Sequence, residues 1–83
     1  MANDPMLLEI ARGFAEDLLR DDEDDAARLT SAYLRVLARP PSAAERQIML
    51  DHLAGVRELG DEVHAWTAIC RLLFNLDEFL TRP

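Results

Sequence analysis

Two consecutive prolines, Pro40 and Pro41, stand near the middle of this 83-residue chain and limit its fold more than any other feature. A proline pushes the residue before it out of the helical region, so no helix can run through Arg39-Pro40-Pro41. Directly after them, Ser42 with Glu45 three residues on forms a capping box, which starts a new helix at Ala43. That helix is predicted over about 43–59, with Ile48, Met49, Leu53 and Val56 inward and Gly60 as its stop.

The same punctuation divides the rest of the chain. Asn3 or Asp4 before Pro5 is a helix start, because an Asx side chain caps free amides and proline's missing N–H costs nothing in the first turn. A first helix over about 5–20 then carries Leu7, Ile10, Ala11, Phe14 and Leu18 at the spacing of one buried stripe. The run Asp21-Asp22-Glu23-Asp24-Asp25 interrupts that period, and its later members sit where carboxylates cap the positive end of a second helix. The second helix covers about 25–38 and presents Ala26, Leu29, Tyr33, Val36 and Leu37. Asp61 caps a fourth, over about 62–75, whose stripe is Val63, Trp66, Ile69, Cys70, Leu73 and Phe74, continued by Phe79 and Leu80. Ala65, Ala68, Leu72 and Leu76 fall outside that stripe, so this helix is apolar on more than one face and is either the central helix or a docking surface. Asn75 is a candidate break before a short terminal turn over 77–80. The fold class is therefore all-α: one domain, 1–83, built as a compact bundle of four helices with a short fifth turn at the C-terminus.

Composition bounds what such a domain does. A hydrophobic fraction of 49% with three Gly and four Pro describes a globular helical chain rather than a disordered one. The net charge of −7, with every one of the nine Lys/Arg positions an arginine and none of them clustered, argues against nucleic acid and anionic membrane surfaces as partners. Even the most apolar stretch, Trp66 to Leu80, is broken by Arg71, Asp77 and Glu78, so no membrane insertion is expected. Met1 to Pro5 carry no basic region followed by an apolar stretch, and no signal peptide is expected in them.

The features that could carry chemistry fail on register. An EF-hand starting at Asp21 would need glycine at its sixth position and glutamate at its twelfth, and those places hold Ala26 and Ala32. His52 and His64 lie on different helices without further donors at ligand spacing, so no zinc site is expected. Cys70 sits one turn from Trp66 and Phe74, where a thiol is buried and inert. Ser31 and Ser42 lack a glycine-flanked elbow, and no phosphate loop is present. The expectation is no enzyme activity, no metal and no cofactor.

In order and spacing, Asn3-Asp4-Pro5 with Ala11, then Tyr33 through Leu37-Ala38-Arg39-Pro40-Pro41 with Glu45, then Ala65-Trp66 and Leu72-Leu73-Phe74-Asn75-Leu76-Asp77-Glu78-Phe79-Leu80 resemble the C-terminal end of a large planctomycete family. That family is the domain of unknown function fifteen-fifty-three, often joined to cytochrome-c-like domains. The chain departs from its pattern at Ala38, where the family-like turn usually has glycine, and at Leu76-Asp77, which intervene in the terminal motif. A weaker similarity runs to surface-layer and phycobilisome-linker-like helical modules. The resemblance implies the helical tail of a larger, exported protein, with Met1 an artificial or alternative start, and it lends no catalytic residue.

The function expected is thus a non-catalytic packing or protein-interaction module whose fourth helix docks on the remaining chain of a larger protein or pairs with a second copy. The alternatives are an accessory part of a multidomain enzyme or electron-transfer protein, and a free-standing acidic adaptor. The interaction candidates are Arg39, Trp66, Leu72, Asn75, Leu76 and Glu78, with Arg39 expected to stitch the middle turn to the C-terminal segment through Glu78 or nearby carbonyls.

Overall fold

The computed structural model describes residues 5–81, with side chains as far as Leu76. Four helices follow one another: α1 (Pro5–Asp21), α2 (Asp25–Leu37), α3 (Ala43–Arg57) and α4 (Glu62–Thr81). The local signals account for their ends. Asp24 is extended and its carboxylate accepts the Ala27 N–H at 2.7 Å, starting α2. Ser42 Oγ accepts the Glu45 N–H at 3.1 Å while Glu45 Oε1 accepts the Ser42 N–H at 2.8 Å, which closes the capping box of α3. Asp61 accepts the His64 N–H at 2.8 Å and starts α4. The Asn3 or Asp4 cap of α1 lies outside the described residues.

Ala38 ends α2 in the left-handed region, at φ 59° and ψ 26°, and donates its N–H to the Leu34 carbonyl at 3.1 Å. Glycine takes that conformation without meeting its own Cβ, which explains why the resembled turn usually has glycine there. Left-handed backbone costs an ordinary residue roughly 1–2 kcal/mol, offset in part by the extra freedom glycine has when unfolded. Ala38→Gly should therefore raise stability by up to about 1 kcal/mol, read as a higher urea midpoint.

Gly60 plays a different part from the one expected of it. The helix α3 stops at Arg57 with Glu58 as a right-handed cap, and no described glycine has a positive φ. A Cβ at residue 60 would lie 2.8 Å from His64 Cδ2, so glycine is needed for space against the first turn of α4.

The helix α4 is the central one. It packs on all three others and most extensively on α1, whereas α1 and α3 do not meet. Ala11 and Ala15 of α1 and Ala65 of α4 are fully buried, small enough for the two axes to approach closely. Trp66, Ile69, Cys70 and Leu73 of α4 form one core with Leu18, Leu29, Ala32, Tyr33, Met49 and Leu53, and Phe14 packs against it from the side. Phe14 meets Phe74 edge-on, with centroids 5.9 Å apart.

Because α1 and α3 each face only part of the bundle, the buried stripes are narrower than the periodicity suggests. Ile10 (53% exposed), Ile48 (65% exposed) and Ala26 point outward, and Ala65, read as lying off the stripe, is in the core. The anticipated break at Asn75 does not occur: α4 continues to Thr81, and the fifth turn over 77–80 is its last stretch.

Two buried polar atoms, Tyr33 Oη and Trp66 Nε1, find no hydrogen-bond partner among the described residues. Burial pushes the Tyr33 hydroxyl above its ordinary range, with the Glu45 carboxylate adding to the shift and Arg39 opposing it. A desolvated group without a partner is a cost, so Tyr33→Phe should be neutral or stabilising by about 1 kcal/mol. A thermal melt decides it, and a drop in Tm would mean the hydroxyl is satisfied in solution.

Candidate interaction surfaces

Three clusters bring functional side chains together. The first is the turn between α2 and α3. Arg39 reaches Glu45: its two terminal nitrogens donate to Oε1 and Oε2 at 2.7 and 2.8 Å, and a further bond goes to the Pro40 carbonyl at 3.3 Å. Its guanidinium also lies 5.7 Å from the Tyr33 ring centroid. Held by this fork and by the Ser42 N–H, the Glu45 carboxyl is lowered to about 2. Both terminal nitrogens of Arg39 are thus engaged with a carboxylate six residues away, and the expected stitch to Glu78 falls on a side chain outside the described residues.

The second cluster has no counterpart in the sequence reading. Arg57, in the last turn of α3, donates to Asp25 Oδ2 and Oδ1 at 2.8 and 2.7 Å and to Glu62 Oε2 and Oε1 at 2.7 Å each. One guanidinium thus ties the start of α2, the end of α3 and the start of α4. Arg28 adds a weaker contact to Asp25 at 3.4 Å and donates to the Asp22 carbonyl at 3.0 Å. Hydrogen bonds from Arg57 hold the Asp25 and Glu62 carboxyls below their ordinary range, and the same bonds raise the Arg57 guanidinium. The signal for Glu62 was local, five residues on. Asp25 is 32 residues away, and nothing in the pattern of α3 points to it.

The third cluster is a groove between α3 and α4, lined by His52, Ala68, Arg71, Leu72 and Asn75, with a volume of about 250 Å³. Of the interaction candidates, Leu72 is half-buried and packs on the core, Asn75 is half-buried and Leu76 is 37% exposed. Ile48 stands one turn before His52 and Leu76 one turn after Leu72, extending the apolar strip along both helices. Trp66 does not belong to any surface, since it is fully buried in the core.

Among the described residues no three His, Cys, Asp or Glu side chains gather as a metal site. Burial pushes the Cys70 thiol up to about 12. No described helix is long and apolar enough to cross a membrane.

A family model with the description "Protein of unknown function (DUF1553)" matches residues 1–53. The chain belongs to that family. The match takes in α1, α2, the Arg39–Glu45 turn and α3 as far as Leu53, and it leaves Arg57 and the whole of α4 beyond its end. No curated protein and no solved structure matches the chain. Membership in the DUF1553 family fits a module of unknown function and assigns no reaction to any of the three clusters.

Proposed function

We propose that this chain is a non-catalytic helical packing module, the C-terminal subdomain of a larger protein, docking on the rest of that protein through the α3–α4 face. The observation that carries the reading is the apolar strip of Ile48, Ala68, Leu72 and Leu76 on α3 and α4, in which Ile48 and Leu76 are exposed and Ala68 and Leu72 half-buried among the described residues. The polar groups that could have served chemistry are engaged structurally: Asp24, Ser42 and Asp61 cap helices, Asp25 and Glu62 hold Arg57, and Cys70 is a buried thiol. A planctomycete origin, an exported parent protein and cytochrome-c-like companion domains belong to the same proposal and rest on the sequence resemblance.

The first test is the coding sequence upstream of Met1, which should continue in frame into further domains. The second is the isolated chain carrying Leu72→Asp and Leu76→Asp, mixed with the remainder of the parent protein. Wild-type chain should bind the remainder and the double variant should not. Self-association is the second reading, and light scattering separates it: a dimer of the wild-type chain that the same substitutions return to monomer would replace docking on a parent protein.

A further inference from the structure

We propose that the turn between α3 and α4 is a hinge that straightens, so that two copies of this chain exchange α4 and each completes the bundle of the other. The inference does not rest on docking through the α3–α4 face, and its test reads the exchange of a helix rather than the covering of that face.

The first observation is how the turns on either side of α3 are made. Between α2 and α3 the helical path is stopped twice, by Ala38 in the left-handed region and by Pro40-Pro41. Between α3 and α4 no such stop stands. Residues 58–61 include no proline and no residue of positive φ, and Glu58 is still right-handed at φ −74° and ψ −14°. The Glu58 and Leu59 N–H groups go on donating to the Gly55 and Val56 carbonyls, at 3.3 and 2.9 Å. A backbone change confined to residues 59–61 joins α3 and α4 into one helix over 43–81.

The second is what that straight helix aligns. Ile48 (65% exposed) and Leu59 (81% exposed) lie bare on α3 and its turn. In a continuous helix Ile48 and Gly55 fall in steps of seven with Ile69 and Leu76, and Leu59 with Trp66 and Leu73. The bare flank of α3 thus comes into phase with the face of α4 that Trp66, Ile69 and Leu73 bury in the core. That face packs on the copy that receives α4, so the flank turns towards the same copy and gains a cover it lacks in the single chain. His52 and Glu62 are the polar members of the two rows.

The third is the place of α4 in the fold. It packs on each of the other helices, whereas α1 and α3 do not meet, and this one turn joins it to them. Withdrawing it leaves a frame whose core another α4 closes. An exchanged pair keeps the contacts of the single bundle, so the balance rests on the two hinges, the new contact and the entropy of association. Two features hold it towards the single chain. Arg57 donates two bonds of 2.7 Å to Glu62, five residues on, and residues so spaced lie about 140° apart round a straight helix, on different faces. The net charge of −7 opposes the approach of a second copy. Salt weakens both.

The test of exchange uses two full-length copies spoiled in different halves. Leu29→Asp puts a carboxylate into the frame and leaves α4 intact, and Trp66→Asp spoils α4 and leaves the frame. Neither alone should show a cooperative melt by circular dichroism. Diluted together from denaturant at raised ionic strength, they should show one, because the sound frame takes the sound α4. Light scattering on otherwise unaltered chains then tests the hinge. The closed turn needs glycine at 60, where a Cβ would lie 2.8 Å from His64 Cδ2, and a continuous helix disfavours it. Gly60→Ala should therefore raise the dimer association constant at least about tenfold, acting at two hinges per dimer. Glu62→Pro should abolish the dimer although it removes the Arg57 contact, since proline is accepted at the first residue of α4 but not inside a helix over 43–81. A mixture that never melts cooperatively overturns the inference, as does a dimer constant unmoved by Gly60→Ala or raised by Glu62→Pro. A dimer that Leu72→Asp and Leu76→Asp return to monomer, while the spoiled copies fail to complement, would be self-association of the α3–α4 face, and exchange would fall.

Discussion

Replacing Trp66 by alanine should remove about 3–5 kcal/mol of stability, a large part of what the chain has. Trp66 is completely buried on the central helix, and its neighbours in the core come from every helix of the bundle. Truncating a buried tryptophan costs about 3–5 kcal/mol, while a domain of this length has roughly 4–12 kcal/mol in total. The loss is therefore a large part of the whole. Trp66→Phe separates two contributions to it. Phenylalanine leaves a smaller cavity, and it also removes an indole N–H that has no partner among the described residues, a group whose desolvation is uncompensated. The phenylalanine variant should thus lose clearly less than half of what the alanine variant loses. Urea titrations followed by circular dichroism measure both, and a native-like transition in Trp66→Ala would place the indole at the periphery of the core.

Elements whose signals are local were legible in the sequence. Ser42 with Glu45, Asp24, Asp61 and Pro40-Pro41 each act within four residues of their own position, so the order of types along the chain is enough to place three helix starts and a turn. The Asn75 break failed because asparagine disfavours a helix only weakly, by less than about 1 kcal/mol, and the burial of Leu73 and partial burial of Leu72 and Phe74 outweigh it. Ile10 and Ile48 failed for another reason. Periodicity marks which residues share a face, but the width of the face that is covered depends on the neighbours, and α1 and α3 have no contact with each other. Arg39 has a near partner, Glu45, that the capping box holds in place and that its spacing alone did not mark. A carboxylate held in place six residues away takes the guanidinium at a smaller loss of side-chain freedom than one across the bundle. The apolar α3–α4 face was half legible, through Leu72 and Leu76, while its α3 side was read as core.

Arg57→Ala should lower stability by about 1–3 kcal/mol at neutral pH, the range left for a bidentate charged cluster after allowing for its partial exposure. The pH dependence of that loss identifies its cause. Arg57 holds the Asp25 and Glu62 carboxyls below their unfolded values, so both bind protons less readily in the folded chain. Their contribution is complete above the unfolded values, about 4, and disappears as the pH falls through the lowered folded ones. The difference between wild type and variant should accordingly be constant from pH 7 to about 5 and close progressively below about 4. Wild type and variant should both continue to lose stability towards pH 2, because Glu45, paired with Arg39 at the other turn, titrates at about 2 whatever stands at position 57. Arg57→Lys should recover little, since an ammonium cannot donate to two carboxylates in the plane of a fork. A double-mutant cycle with Asp25→Asn should give a clear coupling energy, because the two groups share two bonds of 2.7 and 2.8 Å. If the stability gap between wild type and Arg57→Ala were the same at pH 3 as at pH 7, the carboxylates would not be its source. The packing of the Arg57 stem between the ends of α2, α3 and α4 would then be what holds that end of the bundle.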